Sequence, residues 1–274
     1  MTISNLNFYR RNRTPGMIHG TDLVSYIAFS NIGLFGGGVA ASELSVVDRY
    51  NFSDNTVGSG LNLSAATKEL SALSNKSYVL FAGGVSSGQR LKTTQIQDYT
   101  SMTTQAKTNL NDSRSNMAGA SNNTLGIFGG GYLTSATNTT EKYQYSNDTV
   151  STGTNLLETR ETFGGCGNST IGLFGGGFAI PTYYAKTDKY TYSGDTVVAG
   201  TNLGTGRGYV SSASNSTTGV FFAGWTGICL NTTERYNLTN DSRAAGTNLS
   251  TSRAYTAAAG NLTFGLVAAG SSDV

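Results

Sequence analysis

Histidine, cysteine, proline and charge are all scarce in this chain. It has one histidine, His19, two cysteines, Cys166 and Cys229, and two prolines. Such a set cannot assemble a zinc finger or a histidine-rich metal centre, and it is no disulfide scaffold. Charged residues make up 12% of the 274, about half the usual quarter. With 18 Lys and Arg against 16 Asp and Glu, the formal charge is +2, too small a field to hold nucleic acid or an anionic membrane. No apolar run approaches the roughly 20 residues that cross a bilayer as a helix. The opening Met1 to Arg10 lacks the apolar core of a secretory signal, so the many Asn-x-Thr triplets, such as Asn138-Thr-Thr140, read as composition rather than glycosylation sites.

Glycine, in contrast, is abundant, at 36 residues, and it recurs on a beat. An apolar run ending in glycine reads Gly33-Leu-Phe-Gly-Gly-Gly38, Tyr78-Val-Leu-Phe-Ala-Gly83, Gly126-Ile-Phe-Gly-Gly-Gly131, Gly172-Leu-Phe-Gly-Gly-Gly177, Gly219-Val-Phe-Phe-Ala-Gly224 and Gly265-Leu-Val-Ala-Ala-Gly270. The final glycines are 45, 48, 46, 47 and 46 residues apart. A second motif ends in Leu23, Leu63, Leu110, Leu156, Leu203 and Leu249, the last four within Thr-Asn-Leu. A third joins an acid, a base and an aromatic: Asp48-Arg49-Tyr50, Glu141-Lys142-Tyr143, Asp188-Lys189-Tyr190 and Glu234-Arg235-Tyr236, with Gln97-Asp98-Tyr99 as a weaker copy.

Turn chemistry divides each copy into four strands. Ser146-Asn-Asp-Thr149, Ser193-Gly-Asp-Thr196 and Thr239-Asn-Asp-Ser242 follow the tyrosine strand, and Asn, Asp and Gly tolerate the positive φ of tight turns. One copy therefore reads as strand a, a turn, glycine strand b, a longer loop, tyrosine strand c, a tight turn and strand d ending at leucine. Four strands in about 46 residues is the size of a propeller blade. The expectation is one all-β domain over residues 1–274, a six-bladed propeller. Five c-d-a-b repeats run from 39 to 270. Residues 1–23, with Phe8-Tyr9 like a c strand and Asp22-Leu23 like the end of a d strand, complete the last blade and close the ring.

The glycine pair after an apolar strand, the aromatic on the next strand and a base before the following inner strand (Lys68, Arg114, Arg160, Arg207 and Arg253) resemble kelch repeats over nearly the whole chain. The outer-strand tryptophan of that family is absent, and Thr-Asn-Leu stands in its neighbourhood. The uniform Asn/Thr/Gly-rich copies are similar in style to kelch-like proteins of bacteriophages and cyanobacteria. The resemblance also takes in copper radical oxidases, but their paired histidines have no counterpart beside a single His19.

No catalytic residue, metal or cofactor is expected. The acids at one repeated position (Asp48, Asp98, Glu141, Asp188 and Glu234) are explained by the blade rather than by one active site, and Gly204-Thr-Gly206-Arg-Gly208 lacks the βαβ setting of a nucleotide loop. The five repeated bases can encircle the axis and bind a carboxylate, a sulfate or an acidic peptide. Equally, each can pair with a repeated acid and staple the blades, and five acids at the same frequency favour that pairing. The variable b-to-c loops carry Tyr132, Phe178, Tyr183, Tyr184 and Trp225, aromatics that can anchor a protein, stack on a sugar or cap the core. The expected function is a non-enzymatic structural or protein-interaction propeller, such as a decoration, tail or fibre protein of a virion. Its partners would be other protein chains, with neither nucleic acid nor membrane. The alternatives are a glycan-binding propeller and an enzyme of unknown type.

Overall fold

A computed structural model describes Thr2–Ile3 and residues 31–272. Every regular element in it is a strand. The elements form a β-propeller, as the repeat length requires. One complete blade represents the design. Gly164–Gly167, Ile171–Gly175, Thr187–Thr191 and Thr196–Ala199 are strands a to d of an antiparallel meander. In strands b and c each repeated tyrosine lies opposite a glycine: Tyr50 on Gly33, Tyr143 on Gly126, Tyr190 on Gly172 and Tyr236 on Gly219. The glycine makes room for the adjoining blade and for the side chain two places past the tyrosine: a Cβ at Gly172 would stand 2.9 Å from Ala120 Cβ and 3.1 Å from the Tyr192 hydroxyl.

The blade count differs from the sequence expectation. Among the described residues, five blades carry strands b, c and d, where the repeats predict six. Four of these five are complete, and the first shows Ile32–Gly36, Val47–Asn51 and Thr56–Ser59. Beyond the fifth blade lies an a–b hairpin, Ala257–Gly260 with Phe264–Ala268. It packs between the fifth blade's inner strand and Ile32–Gly36 of the first. Its other described neighbour is Thr2–Ile3, which pairs with Phe264 and Gly265 in parallel. A tyrosine strand of the repeat would run antiparallel there, so this short parallel strand is not the predicted closure. The c-like Phe8-Tyr9 and d-like Asp22-Leu23 lie outside the described residues.

The core consists of seams between neighbouring blades. In one seam Ala118, Ala120 and Ile127 of the third blade meet Phe174, Tyr190 and Tyr192 of the fourth, with Leu156 of the Thr-Asn-Leu motif beneath. Inner strands approach so closely that a Cβ at Gly165 would stand 2.6 Å from the carbonyl oxygen of Gly119. The glycine pairs after strand b serve the loops. Gly131, at φ +95°, donates its amide to the Arg160 carbonyl of the next blade at 2.9 Å, and a side chain there would strike the Ser115 carbonyl.

Candidate functional site

The base that opens strand a sits between two blades. Its carbonyl accepts from the glycine pair of the preceding blade, while its side chain turns into its own blade. Arg114, Arg160 and Arg207 are fully buried. They pair with Glu141 at 2.8 Å, Asp188 at 2.7 Å and Glu234 at 2.6 Å. The Nη1 of each also goes to carbonyls; that of Arg160, for example, reaches Gly176 at 2.8 Å and Lys186 at 2.7 Å, while the three Nε atoms have no hydrogen-bond partner among the described residues. Arg253 is half-buried and donates to the Ala269 carbonyl at 2.9 Å. The arginine ring weighed as an anion site is thus corrected for its three central members, whose charges are internal staples. Lys68 is corrected in register as well. The Gly38 amide donates to Thr67 at 2.8 Å, as Gly84 does to Arg114, so Thr67 holds the arginine position. Lys68 lies one residue on, 3.6 Å from Glu43 at the surface.

The remaining repeated polar residues form a clasp on the outer rim. Three of the five described c–d turns place an aspartate in the left-handed position, Asp148, Asp195 and Asp241, where the first two turns have Asn55 and Met102. Each aspartate's carboxylate accepts the amide of the preceding blade's Thr-Asn-Leu threonine: Thr108 at 3.0 Å, Thr154 at 2.9 Å and Thr201 at 3.1 Å. The threonine hydroxyl donates to the same aspartate's carbonyl at 2.6, 2.5 and 2.5 Å. Tyr190 and Lys142 converge on Asp195. Partial burial pushes the Asp195 carboxyl up, but Lys142, the Tyr190 hydroxyl and the Thr154 amide outweigh it and bring it down to about 2. Because the folded value lies below the unfolded one of about 4, the clasp's contribution is present above pH 4 and is lost as pH falls through about 2. Asp195 is part-exposed, so screening limits the effect to about 1 kcal/mol. Lys142→Met is expected to flatten the fall in melting temperature between pH 5 and pH 2; an unchanged profile would remove the clasp from the account.

Away from these staples, the b-to-c loops gather on the face where strand a begins. Phe178–Ala179 and Thr182–Tyr183 form a small hairpin that sets the rings of Phe178 and Tyr183 4.8 Å apart. Tyr184 is fixed by its backbone, its amide donating to Gly177 and its carbonyl accepting from Arg207. Trp225 bridges Gly208 and Cys229 in the next loop. A Cβ on Gly208 would touch Phe178 and Tyr183, so loops of the fourth and fifth blades adjoin there. Tyr132 stands two blades from Trp225 and is covered by the Arg90 guanidinium at 4.4 Å. Of the sequence-selected aromatics, Phe178 and Tyr183 therefore stack and Trp225 joins them through its backbone pairing with Gly208, while Tyr132 stands apart.

Sequence reading missed the residues nearest the axis. Glu69, Asn116, Thr162, Tyr209 and Tyr255 each stand two places after the arginine register, and all five have left-handed φ between 54° and 58°. They are linked across blades: the Asn116 amide donates to Glu69, that of Thr162 to Asn116, and the Tyr209 and Tyr255 ring centroids are 4.1 Å apart. The signal was available as a fixed offset from Arg114, Arg160, Arg207 and Arg253, but the residues at that offset share no chemistry. Burial pushes the Glu161 carboxyl above its ordinary value; Asn116 draws it back, Glu69's charge pushes it further up and Arg90 opposes. Cys166, buried in an inner strand, has its thiol pushed up to about 12, which makes it inert. Among the described residues no group of three His, Cys, Asp or Glu side chains could hold a metal, and no helix is long and apolar enough to cross a membrane.

No protein-family model matches this chain, and no curated protein matches it.

Proposed function

We propose that this chain is a non-enzymatic protein-interaction propeller that receives other protein chains on its loop face. One observation carries the reading. Neighbouring loops of the fourth and fifth blades project Ile180, 85% exposed, and Ile228, 62% exposed, beside the cluster of Phe178, Tyr183 and Trp225. Large apolar side chains held out from a rigid scaffold next to aromatics have the composition of an interface centre. The buried arginines and their acids are meanwhile spent on pairing inside their own blades.

Ile180→Asp with Ile228→Asp tests the reading. The melting temperature is expected to stay within about 2 °C of the parent, since neither side chain is buried. Binding to the partner recovered by in-situ cross-linking is expected to weaken at least about thirtyfold, as for loss of an interface hot spot worth about 2 kcal/mol. Undiminished binding overturns the assignment of this face.

The narrower reading, a structural protein of a virion, rests on the low charge and the uniform Thr/Asn-rich copies. Density for the propeller in a native particle supports it, and a chain found only as a free monomer opposes it. A glycan-binding role draws on the same aromatics; a glycan array with no retained sugar removes it.

A further inference from the structure

The axial mouth of the loop face is built from hydrogen-bond acceptors. Asn116 Nδ2 donates to Glu161 at 3.0 Å and to Glu69 at 3.3 Å, tying together two carboxylates from different blades. Its Oδ1 is buried and has no hydrogen-bond partner among the described residues. Thr162 is only 9% exposed, and its Oγ1 has no partner either. That oxygen packs closely against Gly208, where a side chain would be crowded. A Cβ on Gly208 would stand 3.1 Å from it, 3.2 Å from Phe178 Cβ and 3.5 Å from Tyr183 Cδ1. The tilted Tyr209–Tyr255 pair belongs to the same set of five axial residues as Asn116 and Thr162.

Two carboxylates and two orphan oxygens call for a ligand rich in N–H donors that carries positive charge. Glu69 and Glu161 repel an anion. A sugar brings hydroxyl donors but leaves the negative charge of both carboxylates unmatched. A flat guanidinium offers five donors and a face that stacks on tyrosine, which an ammonium does not. The chain shows this pairing within itself: Arg90, exposed on the Val85–Arg90 hairpin, lies over the Tyr132 ring and is the cation acting on Glu161.

We propose that the axial mouth, formed by Glu69, Asn116, Glu161 and Thr162 with Tyr209 and Tyr255 beside them, binds the guanidinium of an arginine side chain presented by a partner protein. This rests on the protein-interaction reading and adds the residue type that the partner inserts. The apolar loops supply contact area, and the mouth supplies charge selection.

The test titrates the full chain with the blocked peptide acetyl-Gly-Arg-Gly-amide, followed by calorimetry or by NMR of labelled protein. Saturable binding is expected, at least tenfold tighter than that of the citrulline peptide, which keeps the shape and loses the charge. Glu161→Gln and Glu69→Gln are each expected to weaken the arginine peptide about tenfold, and Arg90→Ala to strengthen it by removing a competing cation. Should a variant fail to fold, the arginine–citrulline contrast on the unaltered protein still decides. Equal binding of the citrulline or lysine peptide, tighter binding of a free sugar, or no arginine binding each overturns the proposal. If the arginine peptide fails while Ile180→Asp with Ile228→Asp still abolishes partner binding, the mouth assignment falls and the interaction reading stands.

Discussion

Replacement of Arg160 by alanine is expected to destabilise the propeller by about 3–5 kcal/mol, because it strands a buried carboxylate. The guanidinium is fully buried, 2.7 Å from Asp188 and between the carbonyls of Gly176 and Lys186. Burial already pushes the Asp188 carboxyl upward, against the pull of Arg160. Without the arginine, Asp188 must take up a proton or draw in water, and the Gly176 carbonyl loses the guanidinium while that of Lys186 keeps only the Gly176 amide. At roughly 2–4 °C per kcal/mol for domains approaching this size, the melting temperature falls by about 6–20 °C. Arg160→Met combined with Asp188→Leu is expected to recover most of the loss, since a well-packed apolar pair of similar volume commonly matches a buried ion pair. Calorimetric melting of the single and double variants checks both statements. A loss under about 1 kcal/mol for Arg160→Ala would mean that the pair does not hold the blade entry.

Phe221→Ala is expected to cost a comparable 3–5 kcal/mol for a different reason. Phe221 belongs to strand b of the fifth blade and is fully buried. Its ring lies over glycines of the fourth: a Cβ at Gly175 would stand 2.8 Å from it, and one at Gly164 3.0 Å. Phe81 stands in the same relation to Gly36, so the wedge recurs around the ring. Removing the ring opens a cavity in a seam that the glycines on the other side cannot fill. Gly175→Ala alone is expected to destabilise by about 1–3 kcal/mol through overpacking, and to cost less in the Phe221→Ala background, where the added methyl has room. Denaturant melts of the double-mutant cycle measure this coupling, and additive losses would show that glycine and phenylalanine do not share the seam.

Several features were readable from the chain alone because they repeat in sequence. The Thr-Asn-Leu leucines could be read as a repeated buried position, and Leu110, Leu156, Leu203 and Leu249 are all buried, but strand d stops at Lys107, Gly153, Ala199 and Ala245, so the leucines lie beyond its end rather than at it. The ion pairing of the repeated arginines with the repeated acids could be anticipated from their equal frequency. The assignment of Lys68 failed because a one-residue offset is invisible without the hydrogen bond from Gly38 to Thr67. The aromatic loops could be picked out as variable, but nothing in their order revealed that Phe178, Tyr183 and Trp225 meet at Gly208 while Tyr132 stands apart.

Period, strand order, turn positions and buried faces belong to the sequence, since glycine, tyrosine and turn residues act over a few neighbours and state their local preference wherever they occur. The number of blades with a full outer pair, the parallel course of Thr2–Ile3, the meeting of Asn116 with Glu69 and Glu161 and the pairing of Tyr209 with Tyr255 belong to the tertiary structure. These depend on how successive blades are rotated about a common centre. That rotation brings residues about 46 positions apart into contact, and no local preference encodes which side chains will face each other there.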